Sequence, residues 1–119
     1  MANRGEVIQK LTSICDLYSD ILGTVILFGS YSRDEATGES DIDLYIEPKD
    51  RSMTSSKLWS NKRYKEFKYM LYDSFPNQFD LLSYGGKKDL ASIRRSPLWK
   101  QIEKDGVTIY DQRSESPIL

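Results

Sequence analysis

The run DIDLYIE at residues 41–47 alternates as a half-buried β-strand does, yet two of its polar positions are aspartates. Successive side chains of an extended chain point to opposite faces. Asp41 and Asp43 therefore share one face, while Ile42, Leu44 and Ile46 line the other. Two carboxylates on one small patch repel each other, and one pKa rises unless a cation or a donor lies between them. A fold that accepts this run must bury its aliphatic face and find a use for negative charge on the opposite one.

The neighbouring segments indicate what surrounds this strand. TVILF (24–28) is a β-branched, apolar run suited to a buried strand, and Gly29-Ser30 ends it. YSRDEATGES, with Gly38 and many small or charged residues, reads as a loop with a short helical turn at its start. So short a connection favours neighbouring antiparallel strands, because no crossover helix fits between them. FDLLSY (79–84) is a third strand-like run closed by Gly85-Gly86, and VTIYD (107–111) is a fourth.

Helical spacing fills the intervals. Val7, Ile8, Leu11, Ile14, Cys15 and Tyr18 mark one apolar face of a helix from about Arg4 to Ser19, and Gly23 breaks the pattern. Ser52, Thr54 and Ser55 are capping candidates after Pro48. Leu58, Trp59, Tyr64, Phe67, Met70, Leu71 and Phe75 then trace one helix that ends before Pro76. Leu90, Ile93, Leu98, Trp99 and Ile102 also follow helical spacing, but Pro97 divides them into two short helices. Ser96 is the N-cap of the second, Pro97 its first residue, and Gly106 its stop. The expected fold is α/β (α+β): a small mixed sheet of about four strands flanked by helices, in one domain over residues 1–119 with a short polar tail from about residue 112.

Composition removes several classes of function. The 119 residues are 39% hydrophobic and 29% charged, which suits one packed soluble domain. The net charge of −1 draws the chain neither to nucleic acid nor to an anionic membrane, so an anionic ligand has to be held locally. The absence of histidine excludes His-dependent triads, His-ligated zinc and imidazole acid–base chemistry. The single cysteine, Cys15, forms no intramolecular disulfide, which fits a reducing compartment, and its place on a helix face makes it a small buried hydrophobe. No stretch approaches the roughly 20 apolar residues of a membrane span, and a cytoplasmic location is expected. Arg94-Arg95 and Lys87-Lys88 read as solvated helix ends; Trp59, Tyr64, Phe67 and Tyr69 read as core plus a wet face.

The acids remain. Asp80 sits among Phe79, Leu81 and Leu82, so a third carboxylate occupies a strand-like run where Asp is disfavoured. Oxygen donors without nitrogen or sulfur suit Mg²⁺, which combines carboxylates with phosphate oxygens. Gly29 permits a sharp turn close to a ligand, and the Ser30 hydroxyl and adjacent N–H groups are able to donate to phosphate.

Phe28-Gly29-Ser30, Arg33, Ser40-Asp41-Ile42-Asp43-Leu44, Phe79-Asp80-Leu81 and the closing helix followed by GVTIYD resemble the minimal nucleotidyltransferases of the DNA polymerase beta superfamily. In particular they resemble the antitoxin of HEPN/MNT toxin–antitoxin pairs. The resemblance implies that Asp41 and Asp43 bind Mg²⁺, as two ions that serve the attacking and leaving oxygens, and that Asp80 completes the catalytic carboxylate set, as metal ligand or as base toward the acceptor. Gly29 and Ser30 would hold the nucleotide phosphates, and Arg33 would contact the triphosphate. The implied reaction is Mg²⁺-dependent transfer of a nucleoside monophosphate, AMP from ATP, to a hydroxyl such as a tyrosine of a helical HEPN toxin. The alternative is an antitoxin that neutralises its partner by contact alone. Family members commonly carry a glycine just after the basic residue, where this chain has Asp34-Glu35; the loop is expected to direct these two acids outward.

Overall fold

The structure, a computed structural model, describes residues 3–33, 35–37 and 40–112. Its strands are β1 (Leu22–Phe28), β2 (Ile42–Pro48), β3 (Phe79–Ser83) and β4 (Val107–Asp111). They form one mixed sheet in the order β3-β2-β1-β4. β1 runs antiparallel to β2 and to β4, whereas β2 and β3 are parallel. The antiparallel pairing anticipated for the first two strands is present.

The helices are α1 (Arg4–Leu17), α2 (Ser55–Ser60), α3 (Lys62–Ser74), α4 (Lys87–Arg94) and α5 (Pro97–Asp105). Their ends follow capping chemistry. The side chains of Asn3, Thr54 and Ser96 accept hydrogen bonds from the N–H groups of Glu6, Lys57 and Trp99. Pro97 opens α5, as its fixed φ favours.

Three local expectations change. The single helix drawn through Leu58 and Phe75 is two helices divided at Asn61. The Asn61 N–H closes α2 on the Leu58 carbonyl (3.1 Å), and its side chain opens α3 by accepting from the Tyr64 N–H (3.0 Å). Gly23 does not precede the strand but lies inside β1, where the register shifts between Leu22 and Thr24. A Cβ there would stand 2.5 Å from the Pro48 carbonyl oxygen, so glycine is what lets the chains approach. Gln112 is tied down through its side-chain amide, which donates to the carbonyls of Ser19 and Leu22 (2.6 and 2.9 Å), while the remainder of the expected tail lies outside the described residues.

The alternation of β2 sorts the core into two layers. Ile42, Leu44 and Ile46, all fully buried, join Val25 and Leu27 of β1, Val7 and Leu11 of α1, and Phe67 and Leu71 of α3. Tyr45 meets Ile26 and Phe28 on the other face, with Ile102 and Trp99 of α5 over them. Slipping β2 by one residue would move Ile42, Leu44 and Ile46 to the α5 side and turn Asp43 and Glu47 into the larger apolar layer, where unpaired carboxylates are costly. That penalty fixes the register, and the register places the aspartates on the α5 side.

Candidate active site

Asp43 lies opposite Phe28 on β1 and opposite Asp80 on β3, so the two acids are lateral neighbours in the parallel pair. Asp41 immediately precedes β2, one alternation before Asp43. Asp41 and Asp80 are exposed and Asp43 is half-buried. The expectation that Asp80 stands in an apolar setting therefore does not hold: β3 is an edge strand, and only Asp43 is substantially withdrawn from water. Burial, then the charges of Asp80 and Asp41, push the Asp43 carboxyl up to about 6, with Arg33 acting in the opposite direction.

Gly29 makes room for this carboxylate. Its φ of +77° is left-handed, and a Cβ built there would collide with the Asp43 carboxylate, whose Cγ would be only 3.0 Å away. A short turn follows. The Gly29 carbonyl accepts from the N–H groups of Ser32 (3.1 Å) and Arg33 (3.3 Å) and from the Ser32 hydroxyl (2.7 Å), and the Ser30 carbonyl accepts from the Glu35 N–H (2.9 Å). This is the helical turn expected at the start of the loop. Among the described residues, the Ser30 hydroxyl has no hydrogen-bond partner and is open to a ligand.

Arg33 reaches acids on two elements. Its Nε donates to Glu35 at 2.8 Å, and its Nη1 lies 3.9 Å from Asp105 at the end of α5. Glu35 is exposed, as expected, but its carboxylate turns onto Arg33 rather than to water alone; Asp34 and Gly38 lie outside the described residues. Asn77 braces the far side of the site, donating through Nδ2 to the Tyr31 hydroxyl and to the Ser40 carbonyl, both at 2.9 Å. The second of these bonds fixes the backbone just before Asp41.

Further along the same face, Glu47 is buried but compensated. The Tyr45 hydroxyl (2.6 Å) and Arg94 Nη2 (2.5 Å) donate to it, and Arg51 lies 3.6 Å away. Arg94 also stacks on Trp99, 4.3 Å from the ring centroid, so it ties α4 to β2 and is not a solvated helix end. Asn77, Asp105 and Glu47 carry no motif that flags them in the sequence; position in the strand pattern signals only Glu47. Tyr84 and Tyr110 are half-buried, and Tyr84 packs against Tyr45 (6.3 Å between centroids). Cys15 is buried, with its thiol pushed up to about 12 by burial, so it is inert packing.

Among the described residues, no group of three or more His, Cys, Asp or Glu is gathered tightly enough to hold a metal unaided. Mg²⁺ usually takes one or two carboxylates and completes its shell with water and phosphate oxygens. The all-oxygen donors at Asp43 and its neighbours and the glycine recess beside them fit that mode. No described helix is long and apolar enough to cross a membrane.

Sheet order, carboxylate placement and the glycine turn together define a nucleotidyltransferase-type domain. The family model described as Polymerase beta, Nucleotidyltransferase matches residues 9–115, and the chain belongs to that family. No curated protein matches the sequence. Three of the solved structures that share the fold illustrate the likeness. One is a toxin–antitoxin with AMP-PNP (TM-score 0.58, 20% identity, 91% of this chain and 76% of that one). Another is a mutant of the toxin–antitoxin MntA-HpeT (TM-score 0.55, 18% identity, 91% and 75%). The third is a tri-AMPylated Shewanella oneidensis HEPN toxin in complex with MNT antitoxin (TM-score 0.50, 18% identity, 94% and 76%).

Proposed function

We propose that this chain is a Mg²⁺-dependent nucleotidyltransferase that moves AMP from ATP to a hydroxyl, the acceptor being a tyrosine of a helical HEPN toxin. The observation that carries the reading is the lateral pairing of Asp43 with Asp80 beside the Gly29 turn, with the Asp43 carboxyl held at about 6 by burial and like charge. A half-buried carboxylate without its own cation is costly to the fold, and a divalent ion would offset that cost. Family membership supports phosphoryl chemistry, and the neighbours crystallised with AMP-PNP and as an AMPylated toxin complex support the donor and the partner.

In the proposed reaction the acceptor oxygen bonds to the α-phosphorus, the bond from that phosphorus to the α–β bridging oxygen breaks, and pyrophosphate leaves. Asp41 and Asp43 would hold Mg²⁺, and the ion would supply positive charge to offset that on the phosphoryl oxygens. Asp80 takes the hydroxyl proton, or would share in holding the ion while that proton passes to solvent water. Gly29, Ser30 and Arg33 hold the donor phosphates, the first two by the turn and the third by its guanidinium. The chain thus binds the nucleotide and presents it, and the toxin brings the acceptor.

The test is incubation of the purified protein with Mg²⁺, labelled ATP and the HEPN-type partner, read by mass spectrometry. The expected result is AMP on a partner tyrosine. Absence of an adduct on partner, self and small hydroxylated acceptors, while ATP binds, would sink the transfer reading; neutralisation of the partner under those conditions would establish contact inhibition instead.

A further inference from the structure

The turn after β1 carries an ion pair that occupies the guanidinium a phosphate would need. Arg33 Nε donates to Glu35 Oε1 at 2.8 Å, and Asp105 lies 3.9 Å from Nη1. The Arg33 and Glu35 side chains are 36% and 63% exposed, so the pair is open to exchange with water or ligand. Glu35 does not drift away from the turn, because its N–H donates to the Ser30 carbonyl at 2.9 Å. The charge of Arg33 also acts on the Asp43 carboxyl, so the guanidinium is within electrostatic range of the carboxylate face.

We infer that Glu35 is an internal competitor for Arg33 and sets how well the site distinguishes a nucleoside triphosphate from a monophosphate. The inference rests on the nucleotidyltransferase reading above and adds a positioning residue to it. A carboxylate and a phosphate offer the guanidinium the same pair of acceptor oxygens, and the Nε edge serves one of them at a time. The triphosphate carries more charge than the monophosphate and displaces Glu35 more completely. A monophosphate leaves the Arg33–Glu35 pair closed. Asp105 keeps the freed guanidinium near the end of α5 rather than in bulk water.

The experiment measures binding of fluorescent ATP and AMP analogues, with Mg²⁺, to wild type, Glu35→Gln, Arg33→Gln and the double variant. Exposed ion pairs are weak, so Glu35→Gln should tighten the triphosphate by about two- to five-fold at low salt and leave the monophosphate unchanged. The gain should shrink at about 0.5 M salt and vanish in the Arg33→Gln background. No gain in Glu35→Gln, or the same gain without Arg33, overturns the inference, since the second result is a diffuse charge effect. Triphosphate binding without the gain overturns this inference alone. No triphosphate binding by any of the four proteins overturns it together with the proposed function.

Discussion

Asp43→Asn should stabilise the protein that it inactivates. The carboxyl of Asp43 is moved from 3.8 to about 6, first by burial and then by Asp80 and Asp41, with Arg33 offsetting part of the effect. At about 1.36 kcal/mol for each tenfold change in acidity, a move from 3.8 to about 6 corresponds to roughly 3 kcal/mol in a dry site. Asp43 is only half-buried, and solvent screening reduces the figure to about 1 kcal/mol, or about 4 °C in Tm for a domain of this size. The sign follows from the raised value. Below about pH 3.8 the carboxyl is neutral in both folded and unfolded chains and costs nothing. Between there and about pH 6 the unfolded chain ionises first, stability falls, and above pH 6 the penalty is complete. Urea melts of wild type and Asp43→Asn from pH 4 to 8 should diverge across this window, the variant becoming the more stable. Asp20 and Asp50, whose carboxyls lie low through bonds to Arg63 and Ser52, cancel in the difference. A pH-independent difference, or a less stable variant at pH 7.5, would refute the reasoning. Millimolar Mg²⁺ should close the gap by stabilising wild type alone.

Gly29→Ala should cost about 2 kcal/mol or more, since it strains a left-handed backbone and drives a methyl into the Asp43 carboxylate; Asp43→Ala in the same chain should restore part of the loss, and an unchanged thermal melt would count against the recess. Arg94→Met should cost about 3 kcal/mol by leaving Glu47 buried and underpaired, with Glu47→Gln recovering most of it; equal stability of wild type and Arg94→Met in urea would show that the pair is not what compensates Glu47.

How much was legible depended on whether a feature is local. The strands, the antiparallel β1–β2 pair, the Pro97 start of α5 and the two faces of β2 follow from side-chain period and backbone chemistry over a few residues. The break at Asn61 was hidden because the apolar spacing continues through it, although Trp59 is 51% exposed and uses its indole N–H to cap the Ser83 carbonyl (2.9 Å). The exposure of Asp80 was hidden because apolar neighbours in sequence do not reveal an edge strand. Arg94 looked like a solvated helix end because its partner, Glu47, is 47 residues distant and only the sheet brings them together. Glu35 looked like a liability near phosphate until the turn showed its carboxylate on Arg33.

The same face of β2 holds two acids that the fold treats in opposite ways, and this contrast is the strongest physical argument for a ligand at Asp43. Glu47, only 1% exposed, receives a tyrosine hydroxyl, one close arginine and a second arginine at 3.6 Å. Asp43 receives two more acids, with Arg33, itself engaged by Glu35, as the opposing charge. Parallel pairing is what makes this happen. The crossover through α2 and α3 returns β3 in the direction of β2, so that Asp80 arrives beside Asp43. An antiparallel return with the same ends aligned would instead carry the start of β3, and Asp80 with it, toward Glu47. The chain therefore uses two helices and a crossover to concentrate negative charge where, among the described residues, the opposing charge is an Arg33 shared with Glu35, although four residues further along the strand it pairs Glu47 closely.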